Sequence, residues 1–213
     1  MSLFVDFKDG ISKDEFDMAK EIIEKNGIIA FPIESIYALG TSVYNEDGIM
    51  KLFDIKNRPH SKPITVLVSD ISMIKKVSHA ISDDERKVID AFFPGPLTLV
   101  LDKKDTIPDI ISEGNNTIGV RMPDSKIALK LLKNLKVPIA TTSANISGFE
   151  SERTIEGVQK SFGNMVDCYI DAGEFDEEKH STVVRIEDGE VFIIREGVIP
   201  KEEIEKVIKE GKE

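Results

Sequence analysis

The sequence predicts an α/β protein in which helices cover the faces of a mixed β-sheet. Amphipathic helical segments alternate with short apolar runs along the whole chain, a pattern that is typical of this class. A two-residue turn, Asp188-Gly189, separates the apolar runs 183–186 and 191–194 and indicates a β-hairpin. Because a hairpin joins antiparallel strands, we expect a mixed sheet rather than an all-parallel one.

Capping signals and apolar spacing divide the first half of the chain. Ser12 and Glu15 stand at capping-box spacing before an apolar face, and Gly27 is a natural helix end, so this stretch predicts a helix. A second helix is predicted where Ile49, Met50 and Phe53 share one face. Apolar runs predict strands at 28–31, 37–39 and 64–68.

The second half repeats the same signals. Ser82 and Glu85 again have capping-box spacing, and the Pro-Gly-Pro sequence at 94–96 ends the helix that they begin. Pro200, at a first-turn position, opens a last, charged helix. Further strands are predicted at 98–101, 117–121 and 138–142, and a further helix at 127–135.

Composition and charge limit the possible functions. The chain has 213 residues, 40% of them hydrophobic, so it is long enough to bury a full core, and we expect a single domain over 1–213. A formal net charge of −11 disfavours a protein that coats nucleic acid, although a local basic patch can still bind phosphate. There is one cysteine, Cys168, in an apolar context, so we expect a core residue and a reducing compartment. Without a secretory signal pattern or an apolar run near the length of about 20 residues that a membrane span needs, the chain is expected to be cytoplasmic.

Several common nucleotide and metal motifs are absent from the sequence. It has no Walker P-loop and no Gly-x-Gly-x-x-Gly after a strand. The three histidines, His60, His79 and His180, are too scattered to indicate a zinc site. A phosphate site must therefore be built from side chains.

The segment "DIKNRPHSKPITVLV" concentrates cations in this acidic chain. Lys56, Arg58 and Lys62 lie in one turn before a predicted strand, and they repel each other unless an anion lies among them. A triphosphate would meet that demand. The alternative is a solvated loop whose charges stay in water, and composition alone favours that alternative.

Hydroxyl and amide groups cluster at the end of a predicted strand in "ATTSANISG". The polar residues of this strand end are Thr141, Thr142, Ser143 and Asn145. They leave the sheet where ligands usually bind in open α/β sheets, although a helix cap with a turn would use the same type of residue. Arg121 and Arg195 end two other predicted strands. Cations and hydroxyls at successive strand ends predict one shared pocket for an anionic ligand.

The blocks of this sequence together resemble one family. The segments "FPIESIYALG", "IKNRPHSKPITVLV", "FFPGPLTLVL", "TIGVRMP", "TTSANISG", "STVVRI" and "IIREGVIP" occur in the order found in YrdC-like threonylcarbamoyl-AMP synthases. The resemblance covers about residues 27–199, and its most specific elements are Lys56-x-Arg58 and Ser143-x-Asn145. It implies a twisted α/β sheet with a concave, cation-lined cavity, in the short, single-domain form of the family.

The resemblance also implies an activity. Family members join L-threonine, bicarbonate and ATP to give threonylcarbamoyl-AMP and pyrophosphate, and a separate transferase complex then moves the threonylcarbamoyl group onto adenosine 37 of tRNA. Mg²⁺ is expected to arrive with ATP, because the sequence offers no dedicated carboxylate cage for it. The acidity of the chain leads us to expect weak or no direct binding to nucleic acid.

Matched position by position, the resemblance implies two groups of site residues. The ATP site would comprise Lys56, Arg58, Lys62, Thr117, Ser143, Asn145, Ser151 and Arg195. The threonine site would comprise Ser35, Leu67, Arg121, Thr141 and Ser181. Lys56 and Arg58 are the implied catalytic pair, because they would neutralise phosphate charge, and Arg121 is the implied partner of the threonine carboxylate.

The sequence departs from the family pattern near the implied threonine site. Ile33 stands where the family usually has a threonine, Ala38 replaces a glycine, and Leu67 stands where some relatives have a histidine. Ser35 keeps a hydroxyl in the same block. These departures concern the fine recognition of threonine.

Two other functions are compatible with the same residues. A non-enzymatic module for double-stranded RNA would explain the cations, but not the hydroxyl-rich strand end or the overall acidity. A related carbamoyl-transfer enzyme with a different acceptor is the second alternative. On glycine and charge content, 148–154 and 174–180 are candidates for a lid over the cavity.

Overall fold

One large sheet organises the structure. The computed structural model describes residues 2–6, 12–59, 62–176 and 180–210, so His60 and part of the predicted lid segment at 174–180 lie outside the described residues. Strands β1 to β10 comprise Leu3–Asp6, Ile29–Pro32, Tyr37–Ser42, Thr65–Leu67, Leu97–Asp102, Thr117–Arg121, Ile139–Ser143, Cys168–Asp171, Thr182–Glu187 and Glu190–Arg195. Helices α1 to α7 comprise Lys13–Glu24, Glu46–Ile55, Ile71–Val77, Asp83–Phe92, Lys126–Leu135, Ile155–Phe162 and Lys201–Lys209.

The sheet is mixed, as the hairpin signal predicts. Within the described residues its strands lie in the order β1-β8-β2-β3-β7-β4-β6-β5-β9-β10. The central strands β3, β7 and β4 pair antiparallel, whereas β4 pairs parallel with β6 and β5 parallel with β9. The predicted hairpin is β9–β10, in which Asp188 and Gly189 adopt φ of 50° and 80°. The α/β class and the mixed sheet are confirmed.

The structure shows how three of the predicted helices begin and which face a fourth one buries. Ser12 begins α1 and Ser82 begins α4, and each forms the reciprocal capping box with the glutamate three residues later. Pro200 lies one position earlier than predicted, at the N-cap of α7 rather than in its first turn. In α2, Met50 is 37% exposed and Leu52 is buried, because positions 49, 52 and 53 share the inner face at helical spacing.

The single cysteine and the helices relate to two expectations drawn from composition. Cys168 is buried in β8, and burial raises the pKa of its thiol to about 12, which confirms a core position. None of the helices in the described part of the chain has the length and apolar character of a membrane span.

The two faces of the sheet are covered by different helices. Helices α1 and α5 pack on one face, where Phe16 and Ile139 belong to the same apolar cluster. The other face carries the larger core, built with α2, α3, α4, α6 and α7. Because alternate strand residues face opposite sides, Val66 of β4 belongs to the larger core, whereas its neighbour Leu67 belongs to the α1–α5 side. The candidate site opens on this Leu67 side.

A buried tyrosine connects the centre of the sheet with the segment that follows β8. The Tyr37 hydroxyl lies 3.1 Å from Asp171 Oδ1 and 2.8 Å from the Gly173 carbonyl oxygen, and it accepts a hydrogen bond from Ala172 N at 2.9 Å. Burial raises the pKa of Tyr37, so the hydroxyl keeps its proton and remains a donor. This network fixes the start of the chain segment that leads to β9.

We predict that Tyr37→Phe lowers the free energy of unfolding by about 1–3 kcal/mol, because it leaves buried polar partners without the hydroxyl. Urea denaturation followed by circular dichroism measures the change. Tyr44→Phe is the matched control, since Tyr44 is 44% exposed, and its effect should stay within about 0.5 kcal/mol. Equal effects of the two substitutions would show that the network contributes little.

Candidate active site

A cavity of about 560 Å³ opens on the Leu67 side of the sheet. Its wall comprises the ends of β6, β7 and β10, the start of β3, the strand β4, and the loops around them. It is lined by most of the residues that the sequence assigns to a site, namely Arg58, Ser143, Asn145, Ser151, Arg195, Ser35, Leu67, Arg121, Thr141 and Ser181. The structure therefore brings together both predicted groups, which are widely separated in the sequence.

Three predicted site residues do not line the cavity. Lys56 is buried, and its amine contacts Ser143 and Asn145, which do line the cavity. Lys62 is exposed. Its backbone carbonyl oxygen contacts the site, because it accepts a hydrogen bond from Arg58 Nε at 3.4 Å. Thr117 begins β6, about 13 Å from Arg121 at the other end of the strand. The prediction placed the Lys62 and Thr117 side chains in one pocket with the others, and the structure corrects that placement.

Lys56 is a buried cation at the C-terminal end of α2. Its side chain is among the largest that are fully buried, with only 1% of the residue exposed. The amine donates hydrogen bonds to the Ser143 carbonyl oxygen and to Asn145 Oδ1, the latter at 3.1 Å. Burial, together with the charge of Arg58, lowers the pKa of Lys56 to about 7. The amine therefore changes its charge close to neutral pH.

Asn145 extends this contact into the loop after β7. Ser143 Oγ donates to Asn145 Oδ1 at 2.6 Å, and Ser147 N donates to the Lys56 carbonyl oxygen at 2.9 Å. Asn145 Nδ2 donates to the carbonyl oxygens of Ile146 at 3.1 Å and Phe149 at 2.7 Å. Lys56 of the Lys-x-Arg element and both named residues of the Ser-x-Asn element thus form one hydrogen-bonded unit.

Three arginines line the cavity, and backbone carbonyls hold each of them. Arg58 donates to the Pro63 carbonyl oxygen at 3.0 Å, and Arg195 donates to the carbonyl oxygen of Ser181 at 2.8 Å. Burial lowers the pKa of Arg58 and Arg195, and the nearby charge of Arg121 lowers that of Arg195 further. Since arginine stays protonated at any ordinary pH, the cavity concentrates positive charge that an anion would neutralise.

Arg121 is oriented by two elements of the fold. Its Nε donates to the Gly95 carbonyl oxygen at 3.2 Å, and its Nη2 lies 2.6 Å from Glu34 Oε2. Glu34 in turn accepts a hydrogen bond from Asp124 N at 2.7 Å. The guanidinium is thus fixed between the β2–β3 turn and the connection from α4 to β5, with N–H groups left for a further acceptor.

Hydroxyl groups lie beside the arginines. Ser181 Oγ accepts a hydrogen bond from Arg195 at 2.9 Å and lies 3.1 Å from Thr98 Oγ1. Thr141 Oγ1 donates to the Leu39 carbonyl oxygen at 2.9 Å, which leaves its lone pairs available to a donor. The cavity therefore combines fixed cations with small polar groups, an arrangement suited to a small zwitterion next to a polyanion.

The wall also contains residues outside the two predicted groups of site residues, although Thr142 belongs to the hydroxyl cluster predicted at the strand end, and Ile33 and Ala38 are departures noted near the threonine site. The wall residues outside the two groups are Ile33, Glu34, Ile36, Ala38, Pro63, Ile64, Thr65, Thr98, Thr142, Gly148, Phe149, Glu150 and His180. Two-residue alternation along β4 could have indicated Thr65, because Leu67 was already a candidate. No local pattern indicates Thr98 or Glu34, which reach the site only through strand pairing and the turn before β3.

A metal site held by protein ligands is not formed in the described residues. No group of three or more histidine, cysteine, aspartate or glutamate side chains there lies close enough together to hold a metal ion. Among carboxylates, Glu34 and Glu150 line the cavity, and Glu34 is paired with Arg121.

The fold and the site together define an α/β protein with a cation-lined cavity suited to an anionic ligand. A family model described as "Telomere recombination", which covers the Sua5, YciO and YrdC proteins, matches residues 21–197. The chain belongs to this family. The match confirms the resemblance seen in the sequence motifs.

Curated relatives carry one recurrent name. Over 210 residues the chain is 34% identical to the threonylcarbamoyl-AMP synthase of Pyrococcus abyssi, and the match covers 99% of this chain and 62% of the relative. It is 39% identical over 188 residues to the putative threonylcarbamoyl-AMP synthase of Methanocaldococcus jannaschii, with 88% of each covered. The chain thus spans less than two thirds of the length of the first relative.

Solved structures of the family share the fold. Sua5 of P. abyssi complexed with L-threonine superimposes with a TM-score of 0.88 at 34% identity, over 98% of this chain and 61% of that protein. YciO of E. coli superimposes with a TM-score of 0.81 at 27% identity, over 94% and 98% of the two chains. The ten-stranded sheet described here is therefore the fold of this family.

The buried amine of Lys56 makes stability depend on pH. Its pKa is about 7 in the folded protein and near the ordinary 10.5 in the unfolded chain, so between these values the unfolded state binds more protons. The destabilisation is present in full below pH 7 and is lost as pH rises. We predict that the free energy of unfolding of the wild type, relative to Lys56→Met, increases above about pH 7 by up to about 1.4 kcal/mol per pH unit.

Urea denaturation of both proteins at several pH values between about 6 and 9 measures this difference. Lys51→Met, which removes a lysine with a 41% exposed side chain from the same helix, is the matched control. A wild-type to Lys56→Met difference that stays constant across the range would contradict the lowered pKa.

Proposed function

We propose that this chain is an L-threonylcarbamoyladenylate synthase, which makes threonylcarbamoyl-AMP and pyrophosphate from L-threonine, bicarbonate and ATP. The observation that carries the proposal is the hydrogen-bonded unit of Lys56, Ser143 and Asn145 beside three arginines in one cavity. The names of the relatives, and the L-threonine bound to one of them, support the same reaction. The product would serve the threonylcarbamoylation of adenosine 37 in tRNA.

The reaction requires an attacking carboxylate and a leaving pyrophosphate. The threonine amine takes up CO₂ formed from bicarbonate, with net loss of water, to give an N-carboxylate. An oxygen of this carboxylate attacks the α-phosphorus of ATP, and the bond to pyrophosphate breaks. This step makes the enzyme a nucleotidyltransferase. The protein has to align the two reactants and neutralise phosphate charge, and it needs no nucleophile of its own.

The phosphates would lie against Arg58 and the Lys56 unit. Arg58 keeps N–H groups for phosphate oxygens beyond the bonds that it gives to Lys62 and Pro63. Lys56 has two of its hydrogen atoms committed to Ser143 and Asn145, and because the residue is buried behind them, it would act on a bound phosphate through its charge. An anion placed there favours the protonated amine and raises its pKa again. Lys56 thereby contributes both as a charge and as the support of the loop.

Threonine would lie at the Arg121 end of the cavity. Its carboxylate would accept hydrogen bonds from Arg121, which Glu34 and Gly95 already hold in place. The hydroxyls of Thr98 and Ser181 lie at the same end and suit the hydroxyl of threonine. Leu67, Ala38 and Ile33 supply apolar wall for its methyl group.

The remaining participants enter as substrates or partners. Mg²⁺ would arrive with the ATP phosphates, because the described residues form no metal site of their own. The product would pass to a separate tRNA threonylcarbamoyl transferase complex, so this chain would not need to bind tRNA directly. We place the reaction in the cytoplasm, where a chain with a single cysteine is stable in its reduced form.

We predict that Arg58→Ala reduces kcat/KM for ATP about 10- to 100-fold, because it removes charge-assisted hydrogen bonds to the phosphates. The assay measures pyrophosphate release that depends on both threonine and bicarbonate, with mass spectrometry of the adenylate. Arg86→Ala is the control, since Arg86 pairs with Asp90 on the surface of α4. Wild-type protein that releases pyrophosphate only with another amino acid or acceptor would replace this function with a related carbamoyl transfer.

Arg121→Ala should act on the other substrate. We predict a KM for threonine raised about 10- to 100-fold with a smaller change in KM for ATP, because the variant loses the partner of the threonine carboxylate. Steady-state kinetics with each substrate varied in turn separates the two effects. An equal rise in both KM values would remove Arg121 from a specific role in threonine binding.

A further inference from the structure

An aromatic ring stands exposed at the wall of the cavity. Phe149 is 74% exposed, more than any other large hydrophobic side chain among the described residues, the next being Ile194 at 60%. Single exposed hydrophobic residues are common on protein surfaces. Phe149 differs from the others because it lines the cationic cavity, in the loop between β7 and α6.

Hydrogen bonds hold the backbone of Phe149, whereas its ring is exposed. Phe149 N donates to the Ile146 carbonyl oxygen at 3.0 Å, and the Phe149 carbonyl oxygen accepts from Asn145 Nδ2 at 2.7 Å. The preceding Gly148 has φ of 91°, in the left-handed region that glycine adopts without strain. Asn145, which also accepts from the Lys56 amine, thus sets the point from which the ring projects.

The Phe149 ring belongs to the same loop as residues proposed for ATP and not to the strands that carry the hydroxyls proposed for threonine. Phe149 lies between Ser143 and Ser151, both of which line the cavity, and it shares the loop of the Lys56 unit. The hydroxyl cluster of Thr98 and Ser181 belongs to different strands, β5 and the start of β9. A ligand that meets both the cations and the exposed ring must carry negative charge and a flat apolar surface in one molecule.

A purine nucleotide has both features. Its phosphates match the arginines, and the face of a base stacks on an aromatic side chain with a strength that varies little with the base. Stacking would also remove the exposed ring from water, which is favourable on its own. An amino acid as small as threonine offers no comparable flat surface.

We infer that Phe149 is a substrate-binding residue that stacks on the adenine ring of ATP. This inference rests on the proposed function for the identity of the nucleotide, but the contact itself concerns binding and not turnover. Phe149 contributes ring contact and no hydrogen bond to the base. The stacking therefore adds affinity for nucleoside triphosphates over inorganic tripolyphosphate without strong choice among purines.

A single tryptophan provides a direct test, because the sequence contains none. In Phe149→Trp, titration with Mg·ATP should quench the indole emission, whereas inorganic tripolyphosphate should leave it nearly unchanged. Phe4→Trp is the matched control, since Phe4 is 48% exposed on β1, and its emission should respond to neither ligand. Equal responses of Phe149→Trp to ATP and tripolyphosphate, or no response to ATP, would overturn the inference.

Isothermal titration without threonine or bicarbonate gives the size of the contact. Phe149→Ala should weaken Mg·ATP binding about 5- to 100-fold and change tripolyphosphate binding less than about twofold, with Phe4→Ala as control. In the full reaction the same variant should raise KM for ATP and leave KM for threonine unchanged. Unchanged ATP binding by Phe149→Ala would refute the stacking.

The outcomes distinguish this inference from the proposed function. A wild type that binds ATP with the expected Phe149 dependence but releases no pyrophosphate with threonine and bicarbonate would end the proposed function and keep the stacking contact. If the wild type forms threonylcarbamoyl-AMP and Phe149→Ala is equally active at low ATP, the proposed function is kept and the stacking contact is refuted.

Discussion

The cavity depends on one buried amine. Burying a charged lysine is unfavourable, and the fold accepts it because the Lys56 amine reaches the Ser143 carbonyl oxygen and Asn145 Oδ1 at the point where β7 leaves the sheet. Without those acceptors the buried charge would have no compensation. The contact joins the end of α2 to the loop after β7, so the two halves of the site form together.

This arrangement also explains how an acidic chain gathers its cations in one place. Backbone carbonyls orient Arg58, Arg121 and Arg195, and Glu34 supplies a carboxylate to Arg121. Carbonyl oxygens fix the direction of a guanidinium without removing its charge, so the positive field of the cavity is retained. The proposed phosphate site therefore needs no glycine-rich backbone cradle.

Much of the fold could be predicted from the sequence, because its signals are local. The capping boxes at Ser12 and Ser82, the turn at Asp188 and the strand 117–121 depend on nearby residues alone, and the structure has them as predicted. The patterns missed β1, α3 and α6, which are short and lack a long apolar period. The site was predicted through its motifs. Strand pairing, which no local signal encodes, brings Thr98 into the cavity wall, and the length of β6 separates Thr117 from Arg121.

The two segments predicted as lid candidates contact each other within the described residues. Phe175 N donates to the Arg153 carbonyl oxygen at 3.1 Å, and Arg153 Nη1 donates to the Asp176 carbonyl oxygen at 2.8 Å. The Phe175 ring meets Tyr37 edge-on, with centroids 5.3 Å apart. The loop beside the proposed nucleotide position and the chain that leads to Ser181 are therefore fastened to the same buried tyrosine. A ligand that displaces one of these segments must therefore either break these hydrogen bonds or move the other segment with it.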